Sequence, residues 1–316
     1  MPAREPESVS ADKPPADLSR FAVAGLILAD ATARLRHAGS PTPRLDAELL
    51  VAHALGRDRA WLLAHPEVEL DSGAAHDLAG WVERRSRGEP VAYIRGFKEW
   101  RGLRVRTDPR ALIPRPETEL LADAAIAEIA SRLARDQEPI VAWEVATGSG
   151  AVALALALRF RAALALGRLR LIASDLVPDA LELAAENLDA HGVADLVSLA
   201  CTDLLDPAGD SLPAPDVVVA NPPYLCSAEV ARGPGSIAFE PRSALDGGRD
   251  GLDVLRRLVG QVALRMAPGG VAVIEVGAGQ ARMLVRIIDG LGPARVKATT
   301  LDDLAGIERV VRIALP

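Results

Sequence analysis

The chain has 316 residues, enough for about two domains, and 49% of them are hydrophobic, so a sizeable core can be buried. A formal net charge of −7 argues against broad, non-specific binding of nucleic acid. Cys201 and Cys226, the two cysteines, exclude a disulfide framework, and the five histidines (His37, His53, His65, His76, His191) are scattered over helical segments, so neither a metal site nor histidine-base chemistry is expected.

Residues 1–18 carry four prolines, mixed charge and few apolar side chains, and are expected to be a disordered tail rather than a signal peptide. The spacing of Phe21, Leu26, Leu28 and Leu35 predicts a helix over 20–38, stopped by Gly39 and the prolines at 41 and 43. Three more amphipathic helices are predicted over 44–55, 58–64 and 72–86, with Asp58 and Ser72 as N-caps. Residues 19–89 therefore read as a small helical domain with no catalytic constellation of its own, suited to substrate docking. Alternation over 93–106 predicts a β-hairpin inside a linking segment, 90–110, that leads to a larger domain at 111–316. Between Arg95 and Arg115, seven Arg or Lys stand against Glu99 and Asp108. This reads either as a solvated hairpin face or as a docking surface for an acidic or RNA-bearing partner.

Beyond residue 110 strands and helices alternate, as a doubly wound parallel sheet requires. Helices are predicted over 117–134, 151–160, 178–191, 252–266 and 278–291. Strands are predicted over 140–145, 169–174, 196–200, 216–220 and 271–276, with two last strands at about 295–299 and 309–315 joined by 301–306. The apolar run 151–166 is interrupted by Arg159 and Arg161, too short and too charged to span a bilayer, so a cytoplasmic protein without a membrane partner is expected.

The ends of successive strands carry the chemistry. The first is followed by Ala146, Thr147, Gly148, Ser149 and Gly150 and then a helix, the arrangement in which glycines let backbone approach a nucleotide-type ligand. The second ends in Asp175, placed to accept hydrogen bonds from both hydroxyls of a ribose. The third ends near Asp203 and Leu204, placed to meet an adenine ring and its amino group. The fourth runs into Asn221-Pro222-Pro223-Tyr224. There two prolines fix the backbone and remove two donors, Asn221 adds one acceptor and two donors, and Tyr224 supplies a wall. Such a loop suits a flat amide or an exocyclic aromatic amine whose NH2 must be oriented. The turn lacks the three spaced glycines of a dinucleotide site. Together the four strand ends predict a class I S-adenosylmethionine-dependent methyltransferase, an α/β fold with a Rossmann-like seven-stranded sheet behind the small N-terminal helical domain. Asn221 is expected to touch both cofactor and substrate.

Several longer stretches are shared with one family: Pro90-Val91-Ala92-Tyr93-Ile94, Leu112-Ile113-Pro114-Arg115-Pro116-Glu117-Thr118-Glu119, Asn221-Pro222-Pro223-Tyr224, the run from Phe239 to Leu252 and Asp303-Leu304-Ala305-Gly306. In these the chain resembles the peptide chain release factor glutamine N5-methyltransferases, the PrmC/HemK family, from about Arg20 onward. The resemblance implies S-adenosylmethionine as cofactor and methylation of the glutamine in the Gly-Gly-Gln tripeptide of class 1 release factors. It also implies catalytic roles for Asn221 and Pro222, and a glutamine pocket that includes Pro223 and Tyr224. No direct nucleic-acid substrate is expected, and the protein is expected to act as a monomer. Relatives acting on ribosomal protein L3 usually read Ile-Pro-Arg-Ser-Pro where this chain has Ile113-Pro114-Arg115-Pro116-Glu117, which favours a release factor. The chain departs from the family at Glu144, usually Asp, and at Ala146, usually Gly. Ala146 is accommodated at negative φ but strained at positive φ. Two other readings stay open on the residues alone: a nucleic-acid adenine N6-methyltransferase, which would need a base-flipping pocket, and a non-catalytic cofactor-binding module.

Overall fold

The computed structural model describes residues 23–206, 212–233, 235–290 and 296–316; the tail expected over 1–18 lies outside them. The chain divides into two units, Met1–Arg95 and Gly96–Pro316.

The first unit holds α1 (Ala24–His37), α2 (Pro43–Ala54), α3 (Arg59–Ala64), α4 (Ser72–Ser86) and α5 (Val91–Arg95). Their apolar stripes meet in a core that includes Ile27, Leu35, Leu50, Leu62 and Leu78. Asp58 caps α3 by accepting from the Trp61 amide at 2.7 Å. At α4 the cap is Asp71, not Ser72. Asp71 is extended (ψ 163°) and accepts from the Ala74 amide at 2.8 Å, which leaves Ser72 as the first helical residue. Asp46 anchors the start of α2, gathering the hydroxyls of Ser40 and Thr42 and the guanidinium of Arg85.

The hairpin expected over 93–106 is shorter. The Pro90 carbonyl accepts from the amides of Tyr93 and Ile94, winding 91–95 into α5. Only β1 (Phe97–Trp100) and β2 (Leu103–Arg106) pair, across Arg101 and Gly102, whose φ values of 50° and 72° belong to a two-residue hairpin turn. The basic stretch around it is largely neutralised in space. Arg101 pairs with Asp123, Arg106 and Arg110 with Glu186, Arg110 with Asp108 and Arg115 with Glu240. The docking-surface reading of that stretch is weakened accordingly.

The rest of the second unit is a seven-stranded sheet made of β3 (Ile140–Val145), β4 (Leu169–Asp175), β5 (Val197–Cys201), β6 (Val217–Ala220), β7 (Val271–Glu275), β8 (Lys297–Asp302) and β9 (Glu308–Ala314), in the order β5-β4-β3-β6-β7-β9-β8. The pairs from β5 to β7 are parallel, and β9 runs antiparallel to both its neighbours. Because side chains alternate across a strand, Ala142, Leu171, Val217 and Val273 bury one face beneath α6 (Thr118–Arg135), α7 (Ala151–Arg159) and α9 (Pro178–Ala190). Trp143, Ile172, Val218 and Ile274 bury the other beneath α11 (Asp253–Arg265) and α12 (Ala281–Gly290). This is the doubly wound sheet expected from the sequence. Two short helices were not expected: α8 (Arg161–Ala165) and α10 (Ser227–Arg232). Of the last two strands, β8 lies later than the expected 295–299, starting at Lys297 and reaching Asp302, while β9 falls within one residue of the expected 309–315. Asp303 closes the connection by accepting from the amides of Ala305 and Ile307.

Candidate active site

Register decides which residues meet. Val145 lies opposite Ser174 on β4 and Ala220 on β6, so Ala146, Asp175 and Asn221 leave the sheet side by side. They do so at the carboxyl edge, where the strand order reverses between β3 and β6 and ligands of open α/β sheets bind. Cys201 lies opposite Asp175, which brings Asp203 and Leu204 to the same edge.

The turn after β3 is built from backbone. Gly150, at φ 76°, precedes α7, and a Cβ there would stand 2.9 Å from the Ala184 Cβ on α9, so the turn seats against α9 only with glycine at this position. Ala146 adopts φ 56°, the conformation in which the departure from glycine is strained, at a cost of about 1–2 kcal/mol. Neighbouring bonds hold it there. The Thr147 hydroxyl donates to the Glu144 carboxyl group at 2.8 Å, the Thr147 amide donates to the Ser174 carbonyl, and the Gly148 amide donates to Asp175 at 2.9 Å. Burial pushes the Glu144 carboxyl up to about 8, against hydrogen bonds from Thr147 and the Ala153 amide, and with the Asp175 charge adding to the rise. Glu144 therefore stays largely protonated at neutral pH.

A cavity of about 300 Å³ opens over this edge. Ala146, Thr147, Gly148, Ser149, Asp175, Asp203, Leu204, Asn221 and Pro223 line it, while Gly150 lies behind it. Burial raises the Asp175 carboxyl above the ordinary range, opposed by the amides of Val177, Gly148 and Leu176. Asp203 is more open and pairs with Arg257 of α11 at 2.5 Å. Leu204 is buried at φ 59°.

The loop after β6 is built from side chains. Pro222 and Tyr224 face a second cavity of about 150 Å³, and Asn221, Leu112, Arg115 and Ala244 form walls of both cavities. The Asn221 amide group donates to the Thr118 hydroxyl at 3.2 Å. Buried Glu240 accepts from Arg115 at 2.5 Å and from the Ile113 amide at 3.0 Å, fixing the segment that supplies Leu112 and Arg115. Gly247 backs the loop so closely that a Cβ would lie 2.7 Å from the Pro223 carbonyl oxygen and 2.8 Å from the Tyr224 Cα. The Gln280 side chain donates to the Tyr224 carbonyl at 2.9 Å. The Tyr224 phenol lies 3.5 Å from Glu275 Oε1, and burial, then the Glu275 charge, pushes the phenol well above its ordinary value.

Every site residue read from the sequence except Gly150 lines one of the two cavities. The supports Thr118, Glu240, Glu275 and Gln280 went unassigned. Glu275 had left a signal, a lone acid closing the all-apolar strand β7.

Residues 27–96 match the PrmC N-terminal domain family. The chain is 39% identical to the release factor glutamine methyltransferase of Deinococcus radiodurans, over 90% of this chain and 96% of that protein. It is 38% identical to that of Bradyrhizobium diazoefficiens, over 88% and 90%. The fold is shared with the catalytic domain of hMettl16, at 14% identity and a TM-score of 0.50 over 76% of this chain and 80% of that one. At 38–39% identity over about nine tenths of its length, the chain belongs to the release factor glutamine methyltransferase family.

Proposed function

We propose that this protein transfers a methyl group from S-adenosylmethionine to the side-chain nitrogen N5 of the glutamine in the Gly-Gly-Gln motif of class 1 release factors. The cofactor is assigned to the larger cavity and the glutamine to the smaller. The observation that carries this reading is that Asn221 walls both cavities, which meet around it. The larger cavity fits the cofactor's chemistry. The turn 146–150 leaves room for close approach, Asp175 offers a buried acceptor for ribose hydroxyls, and Asp203 with Leu204 faces the adenine end. When bound, S-adenosylmethionine supplies a methyl group made electrophilic by a sulfonium.

The residues of this chain do the orienting. An amide nitrogen is a weak nucleophile because its lone pair is delocalised into the carbonyl. The Asn221 side-chain oxygen and the Pro222 carbonyl accept the two N–H bonds of the glutamine, which holds the nitrogen in line and favours its pyramidal form. Orientation of this kind supplies up to roughly 7–11 kcal/mol in ideal intramolecular cases. Tyr224, its phenol kept neutral, and Pro223 close the walls and exclude water. No side chain lining either cavity is an evident general base, and the proton is assigned to water after transfer.

The N-terminal helical unit is assigned to docking the release factor, and residues 90–110 to linking it to the methyltransferase domain. The protein is taken to work in the cytoplasm as a monomer. Among the described residues no helix is long and apolar enough to cross a membrane. The test is mass spectrometry of a purified class 1 release factor incubated with the protein and S-adenosylmethionine. One methyl group on the Gly-Gly-Gln glutamine is expected. An unmodified release factor, together with methylated adenine in parallel DNA or RNA samples, would favour the adenine reading instead.

A further inference from the structure

Among the described residues, three that are not glycine adopt positive φ: Arg101, Ala146 and Leu204. Arg101 turns the β1–β2 hairpin and Ala146 opens the turn after β3. Leu204 has neither setting. It sits at φ 59° in a tight turn over Asp203–Asp206, closed by the Asp206 amide donating to the Asp203 carbonyl at 3.1 Å. A turn with positive φ at its first central residue calls for glycine or asparagine, and a leucine there is strained. Strain of this kind persists only where the surroundings over-determine it. Here the surroundings are one stripe of α11. Arg257, Gln261 and Arg265 stand four residues apart and so lie in a row along the helix. Arg257 pairs with Asp203 at 2.5 Å, the Leu205 amide donates to the Gln261 side-chain oxygen at 2.7 Å, and Arg265 pairs with Asp206 at 2.8 Å. The two ion pairs lie on exposed side chains, where such pairs hold little. The Gln261 rung is different, because Leu205 is fully buried and a buried amide without an acceptor is costly. We propose that Gln261, through the Leu205 amide, is a positioning residue for the adenine end of the cofactor, holding Leu204 and Asp203 where they recognise the 6-amino group. The inference rests on the assignment of S-adenosylmethionine to the larger cavity.

Asp203 and Leu204 line that cavity and Gln261 does not, so Gln261 acts at one remove from the ligand. The peptide unit between Leu204 and Leu205 is held at both ends. Its carbonyl accepts from the Thr202 hydroxyl at 2.9 Å, and its N–H donates to Gln261. That fixes the plane of the peptide, and with it the positive φ of Leu204 and the direction of Asp203 one residue earlier. A carboxylate only accepts hydrogen bonds, and with one Asp203 oxygen engaged by Arg257 the other is left for a donor. The 6-amino group of adenine is such a donor. Hypoxanthine presents a carbonyl oxygen at the same place and meets the carboxylate as one acceptor facing another. This discrimination requires Asp203 at one angle. Without the Gln261 oxygen the Leu204–Leu205 peptide is free to rotate, Leu204 relaxes to negative φ, and Asp203 leaves that angle.

The test is calorimetric affinity for S-adenosylhomocysteine and for S-inosylhomocysteine, its hypoxanthine counterpart, alongside thermal melting and single-turnover methyl transfer at saturating cofactor. The wild type is expected to prefer adenine by at least about tenfold, the equivalent of one hydrogen bond replaced by an unpaired acceptor. Gln261→Met keeps the length of the side chain and removes the acceptor. Its affinity for the adenine ligand is expected to fall about tenfold, with little change for the hypoxanthine one, so that the preference narrows to within about threefold. Gln261→Lys, which only donates and whose ammonium reaches solvent, is expected to show the same narrowing should the methionine variant fail to fold. Gln261→Glu restores an acceptor and is expected to recover most of the preference. The loss should lie in cofactor affinity and not in the rate at saturation. A purely structural role predicts otherwise, lower melting with both ligands weakened equally. A wild type without preference, a methionine or lysine variant that keeps the full preference, or a glutamate variant that loses it would each overturn the brace. A wild type that binds neither ligand would overturn the cofactor assignment itself. One that binds both with the expected preference yet leaves the release factor unmethylated would remove the glutamine reading and leave the brace standing.

Discussion

Two turns leave the sheet side by side, and they are made in different ways. The turn after β3 is backbone: positive φ at Ala146, Gly148 and Gly150, the Gly148 amide aimed at Asp175, and a glycine seated against α9. The loop after β6 is held by side chains arriving from far along the chain: Thr118 from α6, Glu275 from β7, Gln280 at the start of α12, and Glu240 through Arg115. On the proposed reading, a ligand shared by many enzymes is met with backbone, which any suitable glycine pattern supplies, whereas a substrate amide needs one oxygen at one angle, and that requires a built support. Damage to the side-chain loop should therefore appear in rate, and damage to the backbone turn in affinity or stability.

The largest expected effect is at Asn221. On the proposed mechanism, Asn221→Ala removes an acceptor whose hydrogen bond strengthens as the glutamine nitrogen pyramidalises. Single-turnover transfer at saturating cofactor should slow roughly 10²–10³-fold, about 2.7–4 kcal/mol, with cofactor affinity little changed. A variant reacting within about threefold of wild type would mean that this loop does not orient the amide. On the other side of the comparison, Asp175→Ala should weaken S-adenosylmethionine binding at least about tenfold. Each ribose hydroxyl left without its acceptor costs about 1–3 kcal/mol. Calorimetry showing unchanged affinity would separate Asp175 from the ribose.

How much of this was legible in the sequence follows the same division. The strand ends were visible because apolar runs stop abruptly at Glu144-Val145, Ser174-Asp175 and Ala220-Asn221, and the turn after β3 is local, needing only its own glycines. The supports of Asn221 were not visible. Thr118 is 103 residues from Asn221, and Glu240 is 125 from Arg115, separations at which no periodicity reports a contact. Local errors had local causes. Asp71 and Ser72 are both good caps, and only backbone conformation chooses between them. The brief α8 and α10 are too short to show a period. The sequence alone leaves the strain at Ala146 open, because φ is set by the bonds around Thr147 and Gly148.

Glu144 sharpens the comparison through pH. Its carboxyl is ordinarily near 4.5 and is pushed up to about 8 by burial in the folded state. Between those values the folded protein keeps a proton that the unfolded chain gives up. Stability should therefore fall as pH rises across that window, and level off below and above it. Glu275, raised to about 7, works in the same direction. In Glu144→Gln the decline should be shallower without vanishing, because Glu275 still titrates. Urea midpoints measured from about pH 5 to 8 read this directly, and parallel curves for the two proteins would show that Glu144 is not held neutral by the fold.

The smallest effect expected is at Ala146, and it bears on whether the backbone turn is strained at all. An alanine held at φ 56° costs about 1–2 kcal/mol, which glycine does not incur. Glycine also frees the unfolded chain, and this offsets about 0.4–1 kcal/mol of the gain. Ala146→Gly should therefore stabilise the protein by roughly 0.5–1 kcal/mol, a rise in melting temperature of about 1–4 °C for a domain of this size. Because Ala146 lines the larger cavity and glycine only removes a methyl group there, the proposed cofactor binding should be retained. A glycine variant that melts lower than wild type would show that the turn is not strained at this residue, and that the bonds from Thr147 and Gly148 fit alanine without cost.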